Sequence, residues 1–560
     1  MIAMRHAAPT LVIFLLVLCP PVFAGETTPA HAGTWISLTP PLLAIFLALL
    51  IRQVIPALFA GVWLGAWAVN GFTLEGLWMG LLDSFQVHIL AATANADHAA
   101  VMLFSLMIAG TVGIISRNGG MQGVVNKIVT WADNARHACL ATASMGMAVF
   151  FDDYANTLVV GNTMRPVTDS MNVSRAKLAY LVDSTAAPVA CIAFVTTWIG
   201  YEVGLIGEAV SYIDGLDAEA YLLFLSTIPY SFYPILAIAF VFMVASSGRD
   251  FGPMWSAERH AAEHGNTDSA VNDSSLASDC EAIEPVEGKP QRAINAVLPI
   301  AVLLCGVLGG LYVTGSAALE GQTASLRDII GAADSYKSLM WGSLLGAATA
   351  AILTLSQRIM GLEELVDAWY QGVRSLIYAM IILVLAWALG GITDVLQTAN
   401  FLVGILGDSL PVQLLPFLIF IIAALTAFAT GSSWGSMGIL VPLVVPLTWA
   451  VMEANGYTDP GHMHILYSSI ASVLAGSVWG DHCSPISDTT ILSSMASGCD
   501  HIQHVRTQLP YALLVGGVAL GAGSLPVAYG LPWWLGLLIG AALLYGVLRL
   551  FGKETRTAIQ

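Results

Sequence analysis

Three short polar segments interrupt long apolar stretches of the sequence, and their side chains are the ones that could bind ions. Each segment offers carboxylate, amide or hydroxyl oxygens within a few residues. Such oxygens suit small hard cations better than softer metals. The candidate ligands are Asp152, Asp153, Asn156 and Thr157 in the first segment, Ser432 and Ser436 in the second, and Asp481, Ser484, Asp488 and Thr489 in the third.

The third segment is the richest of the three. It combines two carboxylates, a histidine and four hydroxyl side chains around Pro485, which cannot donate a helix hydrogen bond. Asp481-His482-Cys483 could suggest zinc, but adjacent residues rarely converge on one tetrahedral ion, and no second cluster of His and Cys is evident. We therefore predict no bound metal or cofactor. His482 either relays protons or makes a structural hydrogen bond.

Each segment also has a plain structural explanation. Asp152 and Asp153 could end a loop or cap a helix, but apolar residues follow them at once. Serine in a membrane helix commonly bonds back to the backbone, although the glycines among the serines of the second segment favour an unwound stretch. Asp183-Ser184-Thr185, close to Pro188, is either a fourth and smaller break or a helix kink.

The composition predicts that these segments lie in a lipid bilayer. Of the 560 residues, 57% are hydrophobic and 10% are charged, whereas soluble domains carry about 25% charged residues. Apolar runs of roughly the 20 residues that span a bilayer recur from about residue 38 onward. An ionised aspartate at the bilayer centre costs roughly 2.5–3.5 kcal/mol, which favours a functional role for the polar breaks. The net charge of −17 argues against nucleic-acid binding.

Four regions divide the chain. Residues 1–24 have a basic start, an apolar centre and small residues at their end, which is typical of a secretory signal peptide, although an uncleaved helix would look similar. Residues 35–246 and 293–551 are predicted to be two transmembrane repeats. Residues 247–292 are rich in Ser, Asp, Glu and Asn, which predicts a disordered linker.

The two apolar halves resemble each other at a nearly constant offset. Residues 58–66 and 339–347, which lie 281 positions apart, share five of nine residues. Asp152-Asp153 falls over Ser432-Ser433 at an offset of 280 positions. A constant offset over about a hundred residues favours an internal duplication.

The loop charges predict how the repeats are oriented. Arg165, Arg175 and Lys177 follow the first break, as is typical of a cytoplasmic loop, whereas Glu453 and Asp459 follow the second break without a nearby Lys or Arg. The linker and the C-terminal tail are then cytoplasmic. The sequence thus predicts an all-α polytopic membrane protein with two inverted-topology repeats, whose broken or re-entrant helices meet at the bilayer midplane.

The three polar segments together resemble the NhaC family of Na⁺/H⁺ antiporters, and the resemblance spans most of residues 40–550. It implies a secondary active transporter of the bacterial cell inner membrane that exchanges Na⁺ for H⁺, not an enzyme. Its implied partners are Na⁺, H⁺ and the lipid bilayer, and a homo-oligomer stays open. Relatives also exchange malate and lactate or are linked to tetracycline efflux, so an organic-acid exchanger or a drug efflux antiporter is the alternative. The matching stretches are Phe150–Thr157, Gly431–Ser436 and Gly480–Thr490.

A carboxylate that binds either H⁺ or Na⁺, but never both at once, couples the two ions. A free aspartate, with a pKa of about 3.9, does not carry protons at pH 7, but burial and neighbouring carboxylates can raise a carboxyl pKa by several units. We predict this exchange for Asp152, Asp153, Asp481 and Asp488. The predicted neutral ligands are Asn156, Thr157, Ser432, Ser436, Ser484 and Thr489.

Three classes of function compete at this point. Oxygen-rich breaks and the near absence of Lys and Arg from the apolar stretches favour a cation/proton antiporter. An organic-anion exchanger should place a cation at the substrate carboxylate, and Arg165 is the only local candidate, at a position that favours a cytoplasmic loop. An intramembrane metalloprotease would need a His-Glu-x-x-His helix, which the sequence lacks.

Overall fold

The computed structural model describes residues 31–51, 53–130, 132–213, 215–216, 218–266, 285–319, 329, 332–406 and 411–554. The predicted signal peptide and the middle of the predicted linker lie outside these ranges. The described chain is almost entirely helical, with one pair of two-residue antiparallel strands, β1 (Arg249–Asp250) and β2 (Lys553–Glu554).

The first half and the linker contribute thirteen of the described α-helices. Before the first polar segment these are α1 (Thr39–Ile51), α2 (Val54–Val69), α3 (Leu74–Asp83), α4 (Leu90–Ala94), α5 (Ala96–Arg117), α6 (Gly120–Val129) and α7 (Ala135–Ala148). After it come α8 (Asp153–Ser170), α9 (Arg175–Ala190), α10 (Thr197–Ser211), α11 (Ala220–Thr227), α12 (Phe232–Ser247) and α13 (Gly252–His264).

The second half contributes the remaining described α-helices. Before the second polar segment these are α14 (Ile294–Ala318), α15 (Ser335–Ser356), α16 (Leu362–Val395), α17 (Thr398–Leu406) and α18 (Leu415–Thr430). After it come α19 (Ser433–Ala454), α20 (Met463–Cys483), α21 (Asp488–Ser497), α22 (His501–Val518), α23 (Leu525–Ala528) and α24 (Trp533–Phe551).

Eight of the described helices are long and apolar enough to cross a membrane. A ninth span results if the bent pair formed by Ala220–Tyr230 and α12, which meet at 50°, is counted as one. Several other helices are shorter than the roughly 20 residues that a single helix needs to span a bilayer. The prediction of an all-α polytopic membrane protein is confirmed.

Helix breaks recur at matched positions in the two halves. Helices α7 and α18 begin at Ala135 and Leu415, and α8 and α19 begin at Asp153 and Ser433, so both pairs of helices are 280 positions apart. A second break follows in each half, between α9 and α10 and between α20 and α21, at a longer offset, since α10 and α21 begin 291 positions apart. These matched breaks agree with the predicted fold of two inverted-topology repeats with broken helices.

The second break of the first repeat does not lie where the sequence suggested. Asp183, Ser184 and Thr185 are helical and buried within α9, so they are not a break. The chain leaves the helix only after Ala190, and the Thr196 hydroxyl starts α10 by accepting hydrogen bonds from the backbone N–H groups of Trp198 and Ile199. Pro188 cannot donate a backbone hydrogen bond to the carbonyl of Ser184, which weakens the last turn of α9 just before the chain leaves the helix.

Small residues bring membrane helices into backbone contact. A Cβ on Gly372 of α16 would lie 2.1 Å from the carbonyl oxygen of Ala109 in α5. A Cβ on Gly480 of α20 would lie 2.1 Å from the carbonyl oxygen of Ala424 in α18. Such close approach is characteristic of helix association in lipid, where packing replaces the hydrophobic driving force.

The predicted disorder of residues 247–292 is wrong for their first part. Strand β1 and helix α13 are ordered and packed against the helical core. Asp250 forms an ion pair with buried Lys177 and accepts a 2.7 Å hydrogen bond from Tyr511, and Glu258 accepts one of 2.7 Å from the backbone N–H of Ser174. The acidic residues here compensate buried donors, which average composition cannot reveal.

Candidate functional site

Asp152 caps the helix that carries the first polar segment. Its Oδ1 accepts a 2.7 Å hydrogen bond from the backbone N–H of Ala155, and its Oδ2 accepts one of 2.9 Å from the Thr197 hydroxyl. A carboxylate at a helix N-terminus is favoured by the free N–H groups and the helix dipole. Asp152 therefore starts α8 and ties it to the beginning of α10.

Asp153 differs from its neighbour because its carboxylate has no such support. The side chain is buried, with 1% exposure, and within the described chain neither carboxylate oxygen accepts a hydrogen bond. The indole of Trp198 lies beside it. An ionised carboxylate buried in this way is unfavourable by several kcal/mol, so Asp153 must hold a proton or a cation.

Asn156 and Thr157 lie one helical turn after Asp153, on the same face of α8. The Asn156 amide nitrogen donates to the carbonyl oxygens of Gly146 at 2.7 Å and Thr185 at 3.0 Å. Asn156 Oδ1 and Thr157 Oγ1 are buried and have no hydrogen-bond partner among the described residues. This face of α8 thus presents unpaired oxygens from three consecutive candidate ligands.

The third segment lies at the break between α20 and α21. Asp481 is fully buried, and its Oδ2 accepts a 2.8 Å hydrogen bond from the Thr489 hydroxyl, whereas its Oδ1 has no partner in the part of the chain that the structure describes. Ser484 ends α20 and donates a 2.7 Å hydrogen bond to the carbonyl oxygen of Phe428. Thr489 and Asp481 therefore hold the two sides of this break together.

Asp488 connects the third segment to the first. The Tyr154 hydroxyl donates a 2.6 Å hydrogen bond to Asp488 Oδ2, and the Thr489 backbone N–H donates one of 2.9 Å to Asp488 Oδ1. Tyr154 is the second residue of α8 and Asp488 is the first residue of α21. The structure brings the first and third predicted segments together at the starts of these two helices.

The hydroxyls of the second segment make local backbone contacts. Ser432 Oγ caps α19 by accepting a 3.2 Å hydrogen bond from the Gly435 N–H, and Ser436 Oγ donates one of 3.0 Å to the Ser432 carbonyl oxygen. In this conformation both serines have the structural role that serine commonly takes. The segment reaches the first one through Trp434, which borders a small pocket beside Asp152, Asp153 and Tyr154.

His482 bridges two helices through both ring nitrogens. Its Nδ1 lies 2.9 Å from the Tyr233 hydroxyl, and its Nε2 lies 3.1 Å from the carbonyl oxygen of Asp183. This geometry agrees with the structural hydrogen bond that the sequence left open. A proton relay through His482 stays a prediction.

Asp183 is a buried carboxylate that the predicted set omitted. It accepts hydrogen bonds from Ser493 Oγ at 3.2 Å, Thr490 Oγ1 at 3.3 Å and Gln508 Nε2 at 2.5 Å. It thereby joins α9 of the first repeat to α21 and α22 of the second. The polar run Asp183-Ser184-Thr185 in apolar sequence was the available signal, but its partners are more than 300 positions away.

A cavity of about 570 Å³ reaches the site from one side. Asp152, Tyr154 and Asp488 line it together with Gln371 and Arg374 of α16. Arg165, the local cation that the sequence offered for substrate binding, packs its guanidinium against Gly498. Arg374 could have been found as the only Arg or Lys inside the long apolar helix α16.

A second cavity, of about 640 Å³, lies at the other end of α16. Its lining includes Tyr212, Asp394 and Glu453. Arg374 and Asp394 are 20 positions apart on one helix, which corresponds to about 30 Å at 1.5 Å per residue. That separation is close to the thickness of a bilayer core, about 30 Å. The two cavities therefore approach the protein from opposite ends of a membrane-spanning helix.

Known proteins place this arrangement in a family. The family model described as the Na⁺/H⁺ antiporter family matches residues 189–523. An uncharacterized protein of Haemophilus influenzae is 32% identical over 500 residues, which cover 89% of this chain and 91% of that relative. The Malate-2H⁺/Na⁺-lactate antiporter of Bacillus subtilis is 34% identical over 89 residues, covering 16% of this chain and 17% of that relative.

The fold is also similar to that of a solved transporter. The crystal structure of the YdaH transporter of Alcanivorax borkumensis matches with a TM-score of 0.52 at 13% identity, covering 88% of this chain and 99% of that one. At this identity the match concerns the fold alone. The family model matches more than half of the length of this chain. The chain therefore belongs to the Na⁺/H⁺ antiporter family and is a multi-pass membrane transporter.

Proposed function

We propose that the protein exchanges Na⁺ for H⁺ across the bacterial inner membrane, with a carboxylate that holds the two ions in alternation. The observation that carries this proposal is the environment of Asp153, whose two buried carboxylate oxygens lack hydrogen-bond partners in the described chain. Asp153 also borders a pocket of about 30 Å³, a size that fits one small ion or one water molecule.

Competition at Asp153 couples the two ions. A proton on the carboxyl neutralises it, and a Na⁺ bound to the carboxylate does the same, so either ion satisfies the buried group but only one can do so at a time. Asn156 Oδ1 and Thr157 Oγ1, unpaired on the same face of α8, supply neutral oxygens for Na⁺. Asp152 and Asp488, already hydrogen-bonded, hold the helix starts that form the pocket.

The two cavities support an alternating-access mechanism. The pocket at Asp153 and the cavity lined by Asp152, Tyr154 and Asp488 share residues, so an ion can reach the site from that end. Movement of one repeat against the other closes this path and opens one toward the cavity at Asp394. Such rocking about a fixed site is the general scheme of inverted-repeat transporters.

Organic-acid exchange is the second candidate, and Arg374 favours it. A cavity of about 570 Å³ is far larger than a dehydrated ion needs, and Arg374 and Gln371 supply a cation and an amide on its wall. Arg is well suited to bidentate recognition of a carboxylate. The relative from Bacillus subtilis, described as an antiporter of malate and lactate, agrees with this candidate.

Purified protein in proteoliposomes separates the two candidates. A pH-sensitive dye inside the vesicles reports proton movement when NaCl, KCl or sodium-free malate is added outside in separate runs. Na⁺/H⁺ exchange predicts a response to NaCl that Asp153→Asn loses and Arg374→Gln keeps. Organic-acid exchange predicts a response to malate that Arg374→Gln loses. No response to NaCl in the wild type would refute the first candidate.

A further inference from the structure

Glu202 is a second buried carboxylate without support, and the proposed exchange at Asp153 does not use it. It lies in α10 with 0% exposure. Neither of its carboxylate oxygens has a hydrogen-bond partner, and it forms no salt bridge, among the residues that the structure describes. Asp153 and Glu202 share this property, whereas the carboxylates of Asp152, Asp183 and Asp488 all accept hydrogen bonds.

Two glycines of α10 indicate which way the Glu202 side chain points. Gly200 and Gly204 face α5, since a Cβ on Gly200 would lie 1.8 Å from Ser105 Oγ and one on Gly204 would lie 3.0 Å from Val101 Cγ1. Glu202, two residues after Gly200, points about 200° around the helix, away from α5. There it meets the thiol of Cys191, which ends α9 at the second break of the first repeat.

Glu202 is also close to the ion site along the chain. Trp198, whose indole lies beside Asp153, is one helical turn before Glu202 and on the same face of α10. Helix α10 therefore contacts Asp152 through Thr197 and lies beside Asp153 through Trp198. The same helix carries Glu202 one turn further on.

The groups around Glu202 indicate whether its carboxylate binds a proton or a metal cation. An ionised carboxylate in this position is strongly unfavourable, so Glu202 must hold a proton or a cation. A hard cation needs several oxygen ligands, but the polar group beside Glu202 is a thiol, which is a soft ligand. The proton is the ligand that fits.

We propose that Glu202 is a second proton-binding site, separate from the site at Asp153 and specific for H⁺. The proposal rests on the proposed Na⁺/H⁺ exchange. Because α10 borders Asp152 and Asp153 and also carries Glu202, binding of Na⁺ at Asp153 releases the proton at Glu202 as well, so one Na⁺ displaces two protons instead of one. Among the described residues, Cys191 is the titratable side chain that faces Glu202.

Equilibrium proton release tests this proposal without requiring transport. Purified protein in weakly buffered detergent solution is titrated with NaCl, while a pH dye counts the protons released for each Na⁺ bound. We expect Glu202→Gln to bind Na⁺ and to release one proton fewer than the wild type, and Glu202→Asp, which keeps a carboxyl, to restore the count. Glu208→Gln is the matched control, because Glu208 lies on the same helix but is hydrogen-bonded to His98 at 2.6 Å.

Each outcome distinguishes the two proposals. A Glu202→Gln variant that releases as many protons per Na⁺ as the wild type overturns the role of Glu202 but not the exchange at Asp153. A variant that no longer binds Na⁺ overturns the specificity for H⁺, because Glu202 would then belong to the Na⁺ site. A wild type that releases no proton on binding Na⁺ refutes the proposed exchange itself.

Discussion

The hydroxyl of Tyr154 donates a 2.6 Å hydrogen bond to Asp488, so the start of one repeat's broken helix holds the start of the other's. The two residues are 334 positions apart and lie within the two predicted polar segments that contain carboxylates. Both also line the 570 Å³ cavity. The Tyr154–Asp488 hydrogen bond therefore borders the cavity that an ion or substrate would enter. Movement of one repeat against the other would also change it.

Tyr154→Phe removes this hydrogen bond and keeps the ring. Hydrogen bonds to charged groups contribute about 1.5–3 kcal/mol, and about 1.4 kcal/mol corresponds to a tenfold change. We expect the apparent Na⁺ affinity in proteoliposomes to change by about tenfold or more. Tyr221→Phe is the control, because Tyr221 bonds the carbonyl oxygen of Phe194 away from the site. Equal affinities in the two variants would show that the contact does not affect ion binding.

Asp153→Asn should abolish Na⁺-driven proton movement without loss of folding. The substitution keeps the shape of the side chain but removes its charge and its titrating proton. Because the carboxylate has no partner to lose in the described chain, the variant should express at the wild-type level, and removal of a buried charge can even stabilise it. The measurement is dye-reported flux at external pH from about 7 to 9, together with size-exclusion profiles.

The companion variant Asp488→Asn tests whether both repeats build the site. We expect it to reduce exchange as well, because Asp488 lines the cavity and is bonded to Tyr154. Wild-type exchange by a well-expressed Asp153→Asn protein would refute the role of Asp153. Loss of activity together with loss of expression would not support that role.

Thr157 and Ser436 give a matched pair of neutral candidates. Thr157→Val removes a buried hydroxyl that has no partner among the described residues, whereas Ser436→Ala removes one that bonds back to the Ser432 carbonyl. We expect Thr157→Val to weaken apparent Na⁺ affinity several-fold at unchanged stability. Ser436→Ala should change the affinity little. The opposite order would show that the helix at Ser436 unwinds to bind Na⁺.

The sequence allowed the breaks to be predicted because their cause is local. Acidic and hydroxyl residues within apolar runs marked the three segments as helix breaks. Within them Asp152, Ser432 and Ser487 each cap a helix with their own side chain, a role that the sequence offered only as the alternative for Asp152. The nearly constant offset between the two halves could likewise be recognised from pairs of matching residues alone. Such signals depend on neighbours within a few positions.

The sequence could not predict which carboxylates accept hydrogen bonds and which have no donor, because the donors lie far away along the chain. Asp152 and Asp153 are adjacent and chemically identical, yet Thr197 satisfies one of them and the other has no donor in the described chain. Glu202 and Arg374 were overlooked because neither lies in one of the three polar segments. Asp250 and Glu258 were assigned to a disordered linker because Lys177 and Ser174, their partners, lie 73 and 84 positions earlier.

Asp183→Asn should act mainly on stability. Asp183 accepts hydrogen bonds from side chains of α21 and α22. The amide nitrogen of an asparagine cannot accept the bonds that a carboxylate oxygen does, so a buried donor is left unpaired at a cost of about 1–3 kcal/mol. We expect a lower thermal unfolding midpoint in detergent, with Na⁺ affinity retained in the folded fraction. An unchanged midpoint would show that the network rearranges freely.

The contact between the core and α13 gives the last prediction. Asp250→Ala leaves Lys177 buried without its ion-pair partner, and loss of one member of a buried pair costs about 3–5 kcal/mol. We expect α13 to detach, which trypsin reports as faster cleavage after exposed Arg259. The double variant Lys177→Met, Asp250→Leu removes both charges and should restore protection.

The pH dependence of this cleavage has a definite sign. Burial raises the pKa of the Glu258 carboxyl above its usual value, so the docked state of α13 binds a proton more readily than the undocked state. Docking should therefore strengthen as pH falls toward the ordinary glutamate pKa, with slower cleavage once the rate is corrected for the protease's own pH profile. Glu258→Gln should remove that dependence. A dependence of the same size in Glu258→Gln would assign it to another group, and equal cleavage of Asp250→Ala and the wild type would show that the ion pair does not hold the helix.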